Sequence, residues 1–412
     1  MQMIIWYVDF IRRKWMGILM SLCKVHRGSN YVSTLKMYSN RTKNTECTNS
    51  QNVNLCSLHP WSKLTHCWFR QPNGFHLSDG VLYTYLQGNE YEDIAAAWDW
   101  NLIPGITVDY GATALICTTT NLTGSEAFVG GVSDGGIGIA AMRYTNPITG
   151  SLHWQKAWFF LDGDVQHTMI SGLNSTTSAP VYSVLDQRRH TGSVIVDGVQ
   201  TNSTEDAQVQ TLWHGDVGYL FPNLNDSAVI SVSVGEKNGS WSSIGTSSQP
   251  PTTVDLFTAR IEHKSTSTPV SYTTFPGTSY DIFLTKSSGL HLQSVQNDES
   301  ISAVFDEGKK TAMIVFWNAA GGSVTFDPAP ANAPITITAD GNIALLYRLE
   351  TGEVTVSDPS QSLARTQVTL TLGRGIKPPQ WGAGLKKTLN FDHPSGGGAG
   401  SSVGQTFGWI IS

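Results

Sequence analysis

The chain has 412 residues and a net charge of −6; 14% of its residues are charged, 10% are aromatic and 40 are glycine. That length exceeds the usual span of one hydrophobic core and implies two or three domains, and sparse charge with abundant Gly, Ser and Thr excludes a charge-laced helical bundle in favour of short strands and tight turns. An acidic total argues against a nucleic-acid partner, and the absence of any run of about eighteen apolar residues argues against a membrane-spanning helix.

Along the chain, the apolar opening 1–20 is broken by Asp9, Arg12, Arg13 and Lys14, so it makes a poor secretory signal. Residues 1–70 hold ten Lys and Arg against Asp9 and Glu46, which leaves the remainder strongly acidic. Either this segment contributes to a groove for an anionic polymer, or it is a surface whose acidic neighbours lie elsewhere. Cys23, Cys47, Cys56, Cys67 and Cys117 are an odd set without regular spacing, giving neither a disulfide framework nor a zinc pattern. Asn40, Asn121, Asn174, Asn202, Asn225 and Asn238 each open an Asn-x-Ser/Thr triplet, which points to an extracellular protein. A stretch at 53–72 holding Cys56, His59, Trp61, His66, Cys67, Trp68 and Arg70 shows no periodicity. It reads as a translated intron, with a metal-binding loop as the other reading, and residues 1–22 read as a similar gene-model artefact.

From residue 77 onward, short apolar or alternating runs at 81–86, 127–129, 137–142, 158–161, 193–196, 228–232 and 271–275 predict strands without intervening helices. Asp134-Gly135-Gly136, Asp162-Gly163-Asp164, Asp197-Gly198 and Asp340-Gly341-Asn342 supply turns between them. The predicted class is all-β: a large antiparallel β-sandwich over 25–280, followed by a smaller β-domain over 288–372 with strands at 312–317 and 343–347. Residues 1–24 are set apart as an N-terminal segment. Past residue 373 the Pro, Gly and Ser content predicts a flexible tail to 412.

The densest motif runs from Gly88 to Thr107: Gly-Asn-Glu-Tyr-Glu-Asp-Ile-Ala-Ala-Ala-Trp-Asp-Trp-Asn-Leu-Ile-Pro-Gly-Ile-Thr. It resembles the hallmark segment of polysaccharide lyase family 8, which includes hyaluronate, chondroitin and xanthan lyases. Further marks recur in order: Lys36 to Thr42 with Asn44 and Glu46, Gly124 to Val132, Lys156 to Phe160, Trp213 to Tyr219, Glu262-His263-Lys264 to Pro276-Gly277, and Ser357 to Gln361. The resemblance implies a helical toroid, a central multi-sheet β-sandwich and a small C-terminal β-domain. It also implies β-elimination on a uronic-acid polysaccharide, in which an Asn, a His and a Tyr from the toroid act with Arg and with a Glu from the sandwich.

Carried over residue by residue, the resemblance implies that Arg41 is an active-site arginine and Glu90 the sandwich glutamate that orients the catalytic groups. Lys36, Asn89 and Asp93 are implied as substrate-binding neighbours. The Asn, His and Tyr have no counterpart ahead of Arg41, since His26 and Tyr31 lack the expected context, so the toroid is expected to be absent or vestigial and the chain a truncated form.

Each candidate also has a plainer reading. Arg41 could be a surface residue before a strand, Glu90 an exposed turn carboxylate, and Trp98 and Trp100 packing residues instead of sugar platforms. His153, His167, His190, His214 and His263 match no metal spacing; no metal site or cofactor is expected, and calcium stays open. The resulting expectation is an extracellular monomeric lyase whose partner is an anionic polysaccharide, with no membrane or nucleic-acid partner. A non-catalytic carbohydrate-binding sandwich is the alternative. A glycoside hydrolase is disfavoured because Glu90, Glu92 and Asp93 are too close in sequence for paired acids.

Overall fold

Alternation along the strand Leu152–Leu161 sets the centre of the molecule. Trp154, Lys156, Trp158 and Phe160 face one side and Ala157, Phe159 and Leu161 the other, and all are buried. Burial on both faces explains why Trp158-Phe159-Phe160-Leu161 reads as a continuous apolar run. The computed structural model describes residues 15–17, 23–45, 47, 72–222, 224, 226–245, 247–329 and 332–407.

Leu152–Leu161 lies within a nine-stranded sheet that also contains Val165–Ser175, Gly138–Thr145 and Val270–Pro276. A five-stranded sheet runs in the order Ser203–Ala207, Ala228–Gly239, Thr252–His263, Val181–Arg189, Thr107–Asp109. It packs on the nine-stranded sheet through Ile170, Leu212, Tyr219, Ile230, Phe257 and Ile261. A four-stranded sheet ending in Val32–Lys36 and Val81–Tyr85 covers the Trp154 and Trp158 face through Leu35 and Met37. On the opposite face Phe159, Met169 and Phe275 meet Met313, Val315 and Leu346 of a C-terminal six-stranded sheet, and Trp317 just past one of its strands. That sheet packs on a last four-stranded one. The registered strand pairs are all antiparallel, as predicted. Among the described residues the α-helices are Trp241–Ile244 and Tyr280–Ser288, and no helix is long and apolar enough to cross a membrane.

Two expectations need correction. The segment after 372 is not a flexible tail throughout: Lys386–Asp392 pairs with Arg365–Leu372, and Val403–Thr406 pairs with Glu353–Ser357. Its Pro and Gly fall between anchors, and Trp381 and Phe391 are buried in the C-terminal core. Cysteine spacing gave no disulfide, yet Cys47 and Cys117 are bridged with their Cα atoms 5.4 Å apart, a pairing made by tertiary proximity. The 53–72 stretch lies outside the described residues except for Pro72, as do Asn225 and residues 1–14.

Candidate functional site

The Gly88 to Thr107 motif is first a packing device. Tyr91 is buried, donates to Asp186 Oδ1 at 3.0 Å and accepts from Arg188 Nη2 at 3.0 Å. Trp100 is buried and donates to Ala95 O. Gly105 adopts φ +86°, where a Cβ would lie 2.5 Å from Leu82 N. Its amide donates to Val184 O and its carbonyl accepts from Lys156 Nζ at 2.9 Å. The Pro-Gly step thereby ties three sheets together.

The sequence-selected residues do not converge on one centre. Glu90 sits in a turn after Tyr85; its Oε1 accepts from the amides of Leu86 and Gln87 (2.8 and 2.6 Å) and Oε2 from that of Gly88 (3.0 Å). Asn89 and Asp93 are exposed beside it, Asp93 with φ +51°. Lys36 pairs in register with Val81, at the opposite end of the strand from Tyr85, about 13 Å away at the usual strand rise. Its Nζ donates to Asn44 O at 3.2 Å.

Arg41 reaches the C-terminal domain. Nη1 donates to Ala127 O (2.8 Å) and Ser360 O (3.1 Å), and Nη2 donates to Val129 O (2.9 Å) and Pro359 O (3.1 Å). All four terminal N–H groups are thus spent on carbonyls, leaving no fork for a sugar carboxylate or an ionised tyrosine. The geometry makes Arg41 a clamp between the central sandwich and the C-terminal domain. Arg41→Ala is therefore expected to lower stability by about 2–3 kcal/mol in urea melts, with Arg41→Lys failing to restore it because an ammonium lacks the fork. An unchanged melt for Arg41→Ala would remove the clamp.

Beside the Glu90 loop lies a cavity of about 510 Å³ that sequence reasoning missed except for Trp98. Gln187 builds one wall: its Oε1 accepts from Asp99 N (2.9 Å) and its Nε2 donates to Asp99 O (3.0 Å) and Leu102 O (2.9 Å). Asn238 and Ala97, which also line the cavity, are drawn together by the close approach of their neighbours Gly239 and Ala96, where a Cβ on Gly239 would meet Ala96 O at 1.8 Å. Tyr110, 36% exposed, donates to Asp99 Oδ2 at 2.6 Å, and with burial this pushes its phenol up to about 12. Tyr182 packs against Tyr110 with ring centroids 5.5 Å apart, and the Arg260 guanidinium lies 4.6 Å from the Tyr182 centroid. The recoverable signal was Arg260, a charge inside an otherwise strand-like run. Among the described residues no group of three or more His, Cys, Asp or Glu is placed to hold a metal ion.

Family comparison follows the same architecture. Residues 23–58 and 65–287 match the model of the polysaccharide lyase family 8 super-sandwich domain, and residues 295–367 match that of the family's C-terminal beta-sandwich domain. The chain belongs to polysaccharide lyase family 8. The break in the family 8 match at 59–64 falls within the aperiodic 53–72 stretch. Chondroitinase-AC of Pedobacter heparinus is 28% identical over 389 residues, covering 92% of this chain and 50% of that protein. Hyaluronate lyase HylB of Enterococcus faecalis is 25% identical over 377 residues, covering 84% of this chain and 34% of that protein. A chondroitinase AC lyase structure superposes with a TM-score of 0.80 at 24% identity, over 96% of this chain and 54% of that one. A Paenibacillus xanthan lyase superposes with a TM-score of 0.78 at 21% identity, over 96% and 37%. At these identities the structural likeness establishes the fold. This family 8 chain spans half or less of the length of those two curated relatives.

Proposed function

We propose that this chain acts in the eliminative cleavage of a uronic-acid-containing polysaccharide of the hyaluronan or chondroitin type, and that its 88–93 loop meets the sugar. The observation that carries this is the family match across both β-domains, joined to a relative named for chondroitin cleavage.

In such a reaction the C–H bond beside the uronate carboxylate breaks, its proton passes to a base, a carbon–carbon double bond forms, and the C–O bond to the leaving sugar breaks as its oxygen takes a proton. Neutralising the carboxylate stabilises the developing enolate charge. Glu90 Oε2 accepts from one backbone amide and keeps acceptor capacity for a group across the sugar, while Asn89 and Asp93 supply exposed polar contacts. Arg41 and Lys36, engaged with carbonyls, hold the scaffold.

A second reading is a non-catalytic carbohydrate-binding sandwich. The spent donors of Arg41 favour it. The discriminating test incubates the chain with hyaluronan, chondroitin sulfate and xanthan in turn and follows the ultraviolet absorbance of the conjugated double bond. A rise that Glu90→Gln abolishes while the variant stays folded is the expected result. Polymer retained with no rise would leave the binding reading.

An extracellular location is part of the proposal. It is supported by the Cys47–Cys117 bridge and by exposed acceptor asparagines at 40, 121, 174 and 202. Recovery of the native protein from the cell interior with both cysteines reduced would overturn it.

A further inference from the structure

We propose that the cavity beside the Glu90 loop is a binding site for a short uronate-bearing stretch of polysaccharide, with Arg260 and Lys237 taking the carboxylate and Tyr110 offering a ring face to the sugar. The proposal rests on the uronate reading above and adds a site to it.

The guanidinium of Arg260 carries the argument. Three other arginines of the fold are committed: Arg41 to four carbonyls, Arg188 to Asp186, Arg348 to Asp134. Arg260 makes no side-chain hydrogen bond or ion pair with the described residues; it is held by its stack on Tyr182, and its Nε is buried without a partner. An arginine in that state, lining a cavity, is set to receive a planar anion through its terminal nitrogens. Lys237 lines the same cavity and its ammonium is likewise unpaired among the described residues. Among the described residues the one carboxylate lining it, Asp99, is occupied by the Tyr110 hydroxyl and the Asn101 amide. The lining is thus locally cationic on a chain whose net charge is −6.

The remaining chemistry suits a sugar. Tyr110 is exposed and aromatic, able to take the C–H face of a pyranose, and Asn238, whose Oδ1 accepts from Thr253 Oγ1 at 2.6 Å, keeps its Nδ2 donors for a sugar hydroxyl. The volume of about 510 Å³ falls in the range of small-ligand clefts. The walls are preformed by the Gln187 hydrogen bonds and the close approach of Gly239 to Ala96, so little ordering is needed on binding. The cavity also adjoins the loop: Arg189, two residues beyond Gln187, donates its amide to Glu90 O and its guanidinium to Glu92 O. A polymer crossing the loop would continue onto the cavity.

The test titrates a non-sulfated chondroitin tetrasaccharide into the chain by calorimetry, using protein from a bacterial host so that Asn238 carries no glycan. Arg260→Gln is expected to weaken binding at least tenfold and Tyr110→Ala, at an exposed position, about fivefold. The carboxyl-reduced tetrasaccharide should bind the unaltered chain as weakly as the native sugar binds Arg260→Gln. If both variants bind like the unaltered chain, or only Glu90→Gln loses binding, the cavity is not the site. Elimination of polymer without any tetrasaccharide binding would overturn the cavity and leave the lyase reading intact; loss of both binding and elimination would overturn both.

Discussion

Replacing Arg188 with methionine is expected to destabilise the chain by about 3–5 kcal/mol, because it strands a carboxylate in the core. Arg188 and Asp186 are each 2% exposed, and Arg188 Nη2 lies 2.5 Å from Asp186 Oδ2. The same nitrogen donates to Thr84 O at 3.2 Å and to the Tyr91 hydroxyl at 3.0 Å, so the pair links Val181–Arg189 to Val81–Tyr85 and to the hallmark tyrosine. With the arginine gone, Asp186 must either take up a proton or stay charged without its partner. The double variant Asp186→Leu with Arg188→Met removes both charges and is expected to recover most of the loss. Urea midpoints decide it: a single Arg188→Met within about 1 kcal/mol of the unaltered chain would show that the pair does not hold the hallmark segment.

Lys156 gives the second large effect, and it depends on pH. The side chain is 1% exposed, bonded to Gly105 O, with Nζ 5.1 and 5.6 Å from the rings of Trp154 and Trp158. Burial pushes its ammonium down to about 7. In the unfolded chain the group titrates near 10.4. Between those values the folded state binds fewer protons than the unfolded state, so Lys156 makes stability rise with pH across that window. From pH 7 to about 9.5 the contribution is about 3 kcal/mol. Lys156→Met, which fills similar space without a charge, is expected to lose that slope. The comparison stops short of pH 10 because tyrosines such as Tyr91, Tyr144 and Tyr219, held well above the usual phenol range by burial, act with the opposite sign there. Parallel stability profiles for the two proteins would show that Lys156 is not buried as described.

Strands with buried faces were legible because apolar side chains repeat within them: 312–317 and 343–347 correspond to Thr311–Phe316 and Ala344–Arg348. Turns were legible where Asp and Gly adopt positive φ, as at Asp164, Gly163, Asp197 and Gly198. The strand Val181–Arg189 was not, since Asp186, Gln187, Arg188 and Arg189 read as surface until Asp186 and Arg188 are seen to neutralise each other inside.

The candidate site divides in the same way. The Glu90 turn is contiguous in sequence and was legible as a turn. Tyr110, Tyr182 and Arg260 come from distant segments that meet only through sheet register, with Val184 opposite Arg260 and Tyr182 opposite Val108. Nothing local marks them as neighbours. Arg41 was selected through its motif, but its four carbonyl partners lie 86 to 319 residues away in the chain.

Affinity electrophoresis through gels containing chondroitin or carboxyl-reduced chondroitin tests most directly whether this family 8 sandwich engages a uronate polymer through the polymer's carboxylates. Retardation in the native polymer that weakens with added salt and is largely lost on carboxyl reduction is the expected result. Equal migration in the two gels, whether both retarded or both unretarded, would contradict it.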